Sequence, residues 1–594
     1  MTFTTRPELT GTFGMATCTH WIASAVGLKL LEAGGTAFDA AAGMGFVLNV
    51  VEPHLNGPLG DMPALIRVAG ETPMVVCGQG VAPQRATIAH YRDEGLEMIP
   101  GAGHLATVVP GAFDAWMLML RDHGRLDLRS VLEPAIHYAR HGHPVLARVS
   151  ATIAGQAAFF AAEWPSSAAV WTPGGAAPAP GALFKNPELA DFWERLLAEA
   201  ECETSRAAQI DAARRAFSSG FVAEAIDRFV ADTAPMDGTG ARRKGVLSGE
   251  DMANWSATYE PAISVTHHGW NVYKCGPWSQ GPVLLQSLQM LRSDPIGDLD
   301  PQGPEFVHLT TEALKHAFAD REVYYGDPDH ADIPMGTLLS ADYADLHRAD
   351  ISGTASQDHR PGHIAGFEAQ VQAFHTRTTR AAPQTGIGGG EPTMAHLVNR
   401  KGDTVHIDVI DRWGNMVSAT PSGGWLQSNP VVPGLGVPLN SRAQMFWLEP
   451  DLPTSLAPGR RPRTTLSPSM ALHEDGRALA FGTPGGDQQD QWQLAFFLRL
   501  AHHDMDLQAA IDAPLFHTGH LPASFYPRDI RPGHLMIEPQ FLAATIKVLA
   551  DMGHGIEEAA PWSVGRLTAA MRMPDGILKA AATPRLMQAY AMGR

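Results

Sequence analysis

Apolar positions in the first 150 residues recur at helical spacing. Residues 23–33 form one such run, which stops at Gly34-Gly35, a helix-terminating pair. Residues 36–51 follow as a second helix rich in small side chains, and 110–121 and 128–140 are predicted helices as well. Two stretches break the pattern. Residues 164–187, rich in Pro, Gly and Ala, read as a surface loop; 352–390 are polar, end in three consecutive glycines, and read as a mobile linker. Beyond them the period changes from helical to alternating. Residues 404–411 place Val405, Ile407 and Val409 on one face and His406 and Asp408 on the other. Residues 412–415 read as a turn and 416–422 as a second strand, together a hairpin. Folding it about Trp413 and Gly414 sets Thr404 opposite residues 420–422, all but one of them hydroxyl-bearing. Further strands are predicted over 469–473 and 478–483. The second ends at Pro484-Gly485-Gly486 ahead of a helix from about 491 to 502. Such a junction aims backbone N–H groups at whatever sits there.

Composition narrows the classes. The chain has 594 residues, 45% hydrophobic and 18% charged, as expected of a folded protein. Its length alone allows about four ordinary domains. A balance of 44 basic against 62 acidic residues leaves a net charge of −18 without a basic tract, which argues against nucleic acid as a partner. No apolar run reaches membrane-spanning length, and the first residues lack the charged and apolar regions of a secretion signal, so no membrane partner is expected. The four cysteines are scattered, with no CxxC pair. Neither a disulfide framework nor a structural zinc site is expected, and a cytoplasmic location is. No metal and no other cofactor is called for.

A hydroxyl becomes a good nucleophile only when a base removes its proton. The chain has no GxSxG elbow, HExxH motif, P-loop or dinucleotide fingerprint. A Thr that opens a strand behind a linker has another route: cleavage of the chain before it. The freed α-amine, with a pKa of about 8, then acts as the base. The N–H groups of Gly485 and Gly486 can hold an oxyanion. On residue type alone, Thr404 is equally an ordinary strand threonine and Gly485-Gly486 a tight turn.

The segment from Gly402 to Thr420 resembles the autoprocessing site of the γ-glutamyltranspeptidase family, with its Thr-Thr-His-x-Ser-Val-x-Asp and Gly-Asn-x-Val pattern. The likeness extends over nearly the whole chain. It includes Val51-Glu-Pro-His54, Thr107-Val-Val-Pro-Gly111, Cys275 to Val283, Ala317-Phe-Ala-Asp-Arg321, Tyr325-Gly-Asp-Pro328, Ser467-Pro468 and Gly482 to Gly486. The resemblance implies an N-terminal-nucleophile hydrolase fold of the α+β class, a four-layer αββα sandwich. It implies a proenzyme cut before Thr404 into a large subunit, 1–403, whose flexible linker is about 352–403, and a small subunit, 404–594. The two would form one αββα unit, and a dimer of such heterodimers is an assembly it allows. It makes Thr404 the nucleophile, Ser422 its supporting hydroxyl, and Gly485 and Gly486 the oxyanion hole. Thr464 and Thr465 stand where the family has a donor-binding Ser-Ser pair.

The departures gather in the donor pocket. Where the family binds the glutamyl α-carboxylate with an Arg, this chain has Gln79, and an amide does not replace a guanidinium fork. Where an Asp binds the α-ammonium, it has Met445. Arg442 replaces a Gln and Gly424 an Asn. Together with Trp425 and Phe446, these changes imply a more apolar pocket and a self-cleaving threonine amidohydrolase acting on a small amide with a non-glutamyl donor. Cephalosporin acylases and an oxamate amidohydrolase are family members of that kind. Two alternatives stay open: a genuine γ-glutamyltransferase or glutathione hydrolase, and an inactive scaffold of the same fold.

Overall fold

The alternation around Thr404 sets the layering. Val405, Ile407 and Val409 are buried beneath the helices Trp21–Glu32 and Ala37–Val51. Ile410 points the other way. It packs with Met416, Leu65 and Val75 against Met470, Ala480 and Ala570 of a second sheet. The computed structural model describes residues 3–380 and 404–594. Both main sheets are seven-stranded and antiparallel. The first runs in the order Tyr590–Gly593, Gly14–Cys18, Ile407–Asp411, Met416–Ala419, Met62–Arg67, Met74–Gly78 and Thr258–Pro261. The second runs Leu9–Gly11, Leu578–Ala582, Thr568–Arg572, Ala478–Gly482, Ser469–His473, Trp270–Lys274 and Ile263–His267. Helices Pro282–Met290, Pro304–Tyr324 and Gln489–His502 cover its outer face. The result is the expected αββα order of layers, with three stacked cores.

Local sequence explains the main elements. Helix Ala37–Val51 is buried along its whole length. Its small residues permit close crossing, with Gly27 against Met44 and Gly43 against Leu30. Thr36 and Asp39 form its capping box, and Asp39 also accepts from the backbone of Arg125 and Leu126. The turn after Asp411 uses Gly414 at φ +91°. Asn415 donates to Asp411 and accepts from the Ala69 backbone, a structural role.

Two segments differ from expectation. Pro165–Trp171 is a helix inside the stretch read as loop, because Trp164 and Trp171 are buried on Phe160 and Phe184. Glu368–Arg380 is a helix inside the stretch read as linker. The remainder of that stretch, 381–403, lies outside the described residues. No helix among the described residues is long and apolar enough to cross a membrane.

Candidate active site

The hairpin register decides what stands beside Thr404. Ile407 pairs with Ala419, and the same register carried to the strand end gives a bridge between Thr404 and Ser422. Their hydroxyl oxygens are 3.3 Å apart. On its other side Ser422 bridges Asp61, whose N–H donates to the Ser422 carbonyl at 2.8 Å and whose carbonyl accepts from Ser422 N–H at 2.9 Å. Continuing the Met62–Gly78 pairing by one residue places Gln79 opposite Asp61. Thr404, Ser422, Asp61 and Gln79 thus form one row across four strands, facing the second sheet. All four are buried.

The next rows extend this polar strip. His406 lies between the Thr420 hydroxyl, 2.9 Å from Nδ1, and Asp408, 3.0 Å from Nε2. Asp408 accepts from Thr568 of the second sheet at 2.7 Å, and Ser418 donates to the Phe481 carbonyl at 3.2 Å. Gly482 sits directly on the His406 ring, where a Cβ would overlap it. The strand Ala478–Gly482 therefore advances from the level of Ser418 to that of His406. The following residues, 483–486, continue toward the Thr404 end of the row.

Gly485 adopts φ +112°, a conformation suited to glycine, and a Cβ there would lie 2.6 Å from Trp492. A Cβ on Gly486 would lie 2.6 Å from Phe525. Phe525 clusters with Trp425 and Met445. This apolar wall corrects the expected one. Phe446 packs elsewhere, among Ala82, Tyr91 and Leu105, and Phe525 takes its place. The Phe525 loop is pinned through Ser524, which donates to Asp487 at 2.6 Å, and Tyr526 N–H, which donates to Gln444 at 3.1 Å. Asp487 also receives Arg321 at 2.5 Å, and Arg321 reaches Gln280, which donates to the Gly486 carbonyl.

Arg442 is fully buried, not a surface group. Its Nε donates to Asp61 at 2.9 Å, and its guanidinium carbon lies 5.0 Å from the Trp425 ring centre. Burial pushes the Asp61 carboxyl above its ordinary range, against the pull of Arg442. Gln79 donates to the Gly80 carbonyl, and its Oε1 has no partner among the described residues. Gly424, at φ +64°, is pressed by its carbonyl against Gly57, so this position is a backbone contact between two loops. Thr464 bridges Ser279, and its hydroxyl accepts from Leu466 N–H. The Thr465 hydroxyl is buried without a partner among the described residues. Asp61 and Phe525 had no signal of their own; only the packing of distant segments reveals them. Asp327, in the Gly-Asp-Pro segment, accepts from Arg461 at 2.7 Å.

Two antiparallel sheets packed between helices, with hydroxyl groups gathered at the end of a central hairpin, are the architecture of the N-terminal-nucleophile hydrolases. The chain is an amide-bond hydrolase of that class. Residues 23–593 match the profile described as Gamma-glutamyltranspeptidase, and the chain belongs to that family. A solved structure of LmbA2991HD superposes over 100% of both chains with a TM-score of 0.93 and 51% identity. Acylase ACY 1 proenzyme of Pseudomonas sp. (strain SE83) is 30% identical, over 96% of this chain and 92% of that one. Oxamate amidohydrolase proenzyme of Klebsiella pneumoniae is also 30% identical, over 97% of each.

Proposed function

We propose that the chain is a proenzyme that cuts itself before Thr404 and then hydrolyses a small amide through an acyl-enzyme on that residue. In the uncut chain the Thr404 nitrogen is an amide and cannot act as a base; cleavage turns it into an amine that can. The amine takes the hydroxyl proton as Oγ1 attacks the substrate carbonyl. Gly485 and Gly486 N–H groups hold the oxyanion, and the leaving amine departs with the proton. Water, deprotonated by the same amine, releases the acid. Ser422, 3.3 Å from Oγ1, orients the nucleophile. Thr464, Thr465, Gln79, Gly424, Arg442 and Met445 line the donor side.

The observation that carries this reading is the Thr404–Ser422 bridge at the end of the hairpin. A non-glutamyl donor is supported by Gln79 and Met445, which supply neither of the charges a γ-glutamyl group needs. The names of the acylase and oxamate relatives support it further. Residues 1–403 and 404–594 become paired subunits. Cysteines that stand as free thiols support a reducing, cytoplasmic setting.

Intact mass spectrometry of wild type beside Thr404→Ala tests the reading. Wild type is expected as two pieces split before residue 404 and the variant as one. A wild type that stays whole on long incubation would favour the inactive scaffold. Robust turnover of γ-glutamyl p-nitroanilide would overturn the non-glutamyl donor.

A further inference from the structure

Two histidines meet at the outer edge of the second sheet. The hairpin of Ile263–His267 and Trp270–Lys274 turns through His268 and Gly269, at φ +48° and +77°, a tight two-residue turn with both residues in the left-handed region. This turn holds His267 against the last residue of helix Gln489–His502. Nε2 of His267 lies 2.8 Å from Nε2 of His502. Nδ1 of His267 donates to the Leu288 carbonyl at 3.0 Å, so its Nε2 carries a lone pair. His268 is exposed and stacks on His502, with ring centres 4.3 Å and planes 27° apart. It also lines a cleft with His473, Glu474, Arg477 and Asp504. Three imidazoles from two distant segments thus gather at one place.

The arrangement is that of metal ligands. A ligating imidazole donates its second ring N–H to a carbonyl or carboxylate, which fixes the ring and frees the other nitrogen, as Leu288 does for His267. Two nitrogens bound to one tetrahedral ion stand about 3.3 Å apart, so an ion fits between His267 and His502 after a separation of about half an ångström. His502 ends a helix, whose C-terminal carbonyls favour a cation. Leu288 lies in the last turn of helix Pro282–Met290, so a second helix end adds to the same field. Neither His267 nor His502 has an ion-pair partner among the described residues, so an ion displaces no resident charge there. The buried group His308, Glu312 and His554 also has ligand atoms within 4.8 Å of one another. There, however, Lys315 and Arg360 already hold Glu312, at 2.6 and 2.9 Å, and supply the positive charge. We infer that His267 and His502, with His268 turned inward as third ligand, form a site for a divalent transition-metal ion of the zinc type, water completing its coordination. The ion ties the tip of an edge hairpin to the far end of the helix that follows Gly485-Gly486, as a clamp separate from Thr404.

Competition with a chromophoric chelator for Zn²⁺, on the purified and metal-stripped full protein, tests the site whether or not the chain has cut itself. Wild type should bind one Zn²⁺ with a Kd of about 10 µM or tighter. His268→Ala should weaken that event about 10-fold and His502→Gln about 100-fold or more. A control is needed because His137 and His141 stand one turn apart on another helix, their ring centres 4.9 Å apart. His137→Ala should leave the tighter event within about twofold. With Cu²⁺ in place of Zn²⁺, electron paramagnetic resonance should show three nitrogen ligands in wild type and two in His268→Ala. No binding up to about 1 mM Zn²⁺ would overturn the inference and leave the His267–His502 contact as a plain N–H···N hydrogen bond. Tight binding that survives both His268→Ala and His502→Gln would overturn it too, by placing the metal elsewhere. Binding that falls with His502→Gln alone would overturn the three-histidine set. His268 is exposed, so His268→Ala and the wild-type spectrum decide the matter even where His502→Gln disturbs the helix end.

Discussion

His406 is constrained by its neighbours on several sides. It is two positions from Thr404, held between Thr420 and Asp408, and covered by Gly482. The absence of a side chain at 482 therefore makes room for an imidazole, and the imidazole links the hairpin to the strand that leads into the Gly485-Gly486 loop. Gly482→Ala should destabilise the protein by about 1–3 kcal/mol through overpacking. Combined with His406→Ala, the loss should be less than the sum of the two single effects, because the clash is relieved. Chemical denaturation of the two single variants and the double variant checks this; strict additivity would show that the ring and the glycine do not contend for the same space.

At the scale of elements, the hairpin was legible and the donor pocket was not. Strict alternation over residues 405–409 and a glycine turn set the register locally, so Thr404 was expected opposite residues 420–422 and pairs with Ser422. Helix Gln489–His502 and strand Ser469–His473 followed from their own periodicity and flanks. The contact between Asp61 and Arg442 joins residues 381 apart, and no pattern along the chain predicts which acid meets which base. The same holds for the loop that delivers Phe525. Its anchor is Asp487, which receives Ser524 and Arg321 in a buried group that also contains Glu322 and Arg463. Two guanidiniums pull the Glu322 carboxyl down to about 2 despite its burial. Removing Asp487 leaves those cations undercompensated. Asp487→Ala is expected to lower stability by roughly 3–5 kcal/mol and to slow hydrolysis through a loosened Gly486 loop. Thermal melting and steady-state kinetics on the same preparation test both, and a variant as stable as wild type would show that the cluster does not need this acid.

Across the whole molecule, buried histidines set the response to acid. Burial, with neighbouring positive groups, lowers His20, His316, His502 and His554 from 6.5 to about 3. Several meet in pairs, including His316 with His347 at 2.8 Å and His308 with His554 at 2.9 Å. His20, His316, His502 and His554 stay neutral in the folded state, while the unfolded chain takes up a proton at each below about pH 6.5. Their contribution is intact above that pH and is lost as pH falls toward 3. Glu322 adds a second loss between about 4.5 and 2. The melting temperature should therefore drop by at least about 5 °C between pH 7 and pH 5; a flat profile over that interval would contradict the neutral histidines.

The strand order has a consequence for the life of the molecule. Tyr590–Gly593 lies beside Gly14–Cys18, Ile407–Asp411 beside Gly14–Cys18 on its other edge, and Leu9–Gly11 beside Leu578–Ala582. Each sheet thus weaves together segments from both sides of residue 404. While the backbone is continuous, these segments meet at the high effective concentration of a single tethered chain. Once the bond before Thr404 is cut, unfolding releases two separate polypeptides, and reassembly becomes a second-order event. With the proposed cut, folding would become a one-way passage: an enzyme molecule that unfolds would have lost the connection that assembled it. Recovery after denaturation should depend on dilution for cleaved wild type and be independent of it for Thr404→Ala, so the active protein would be maintained in the cell by synthesis and not by refolding.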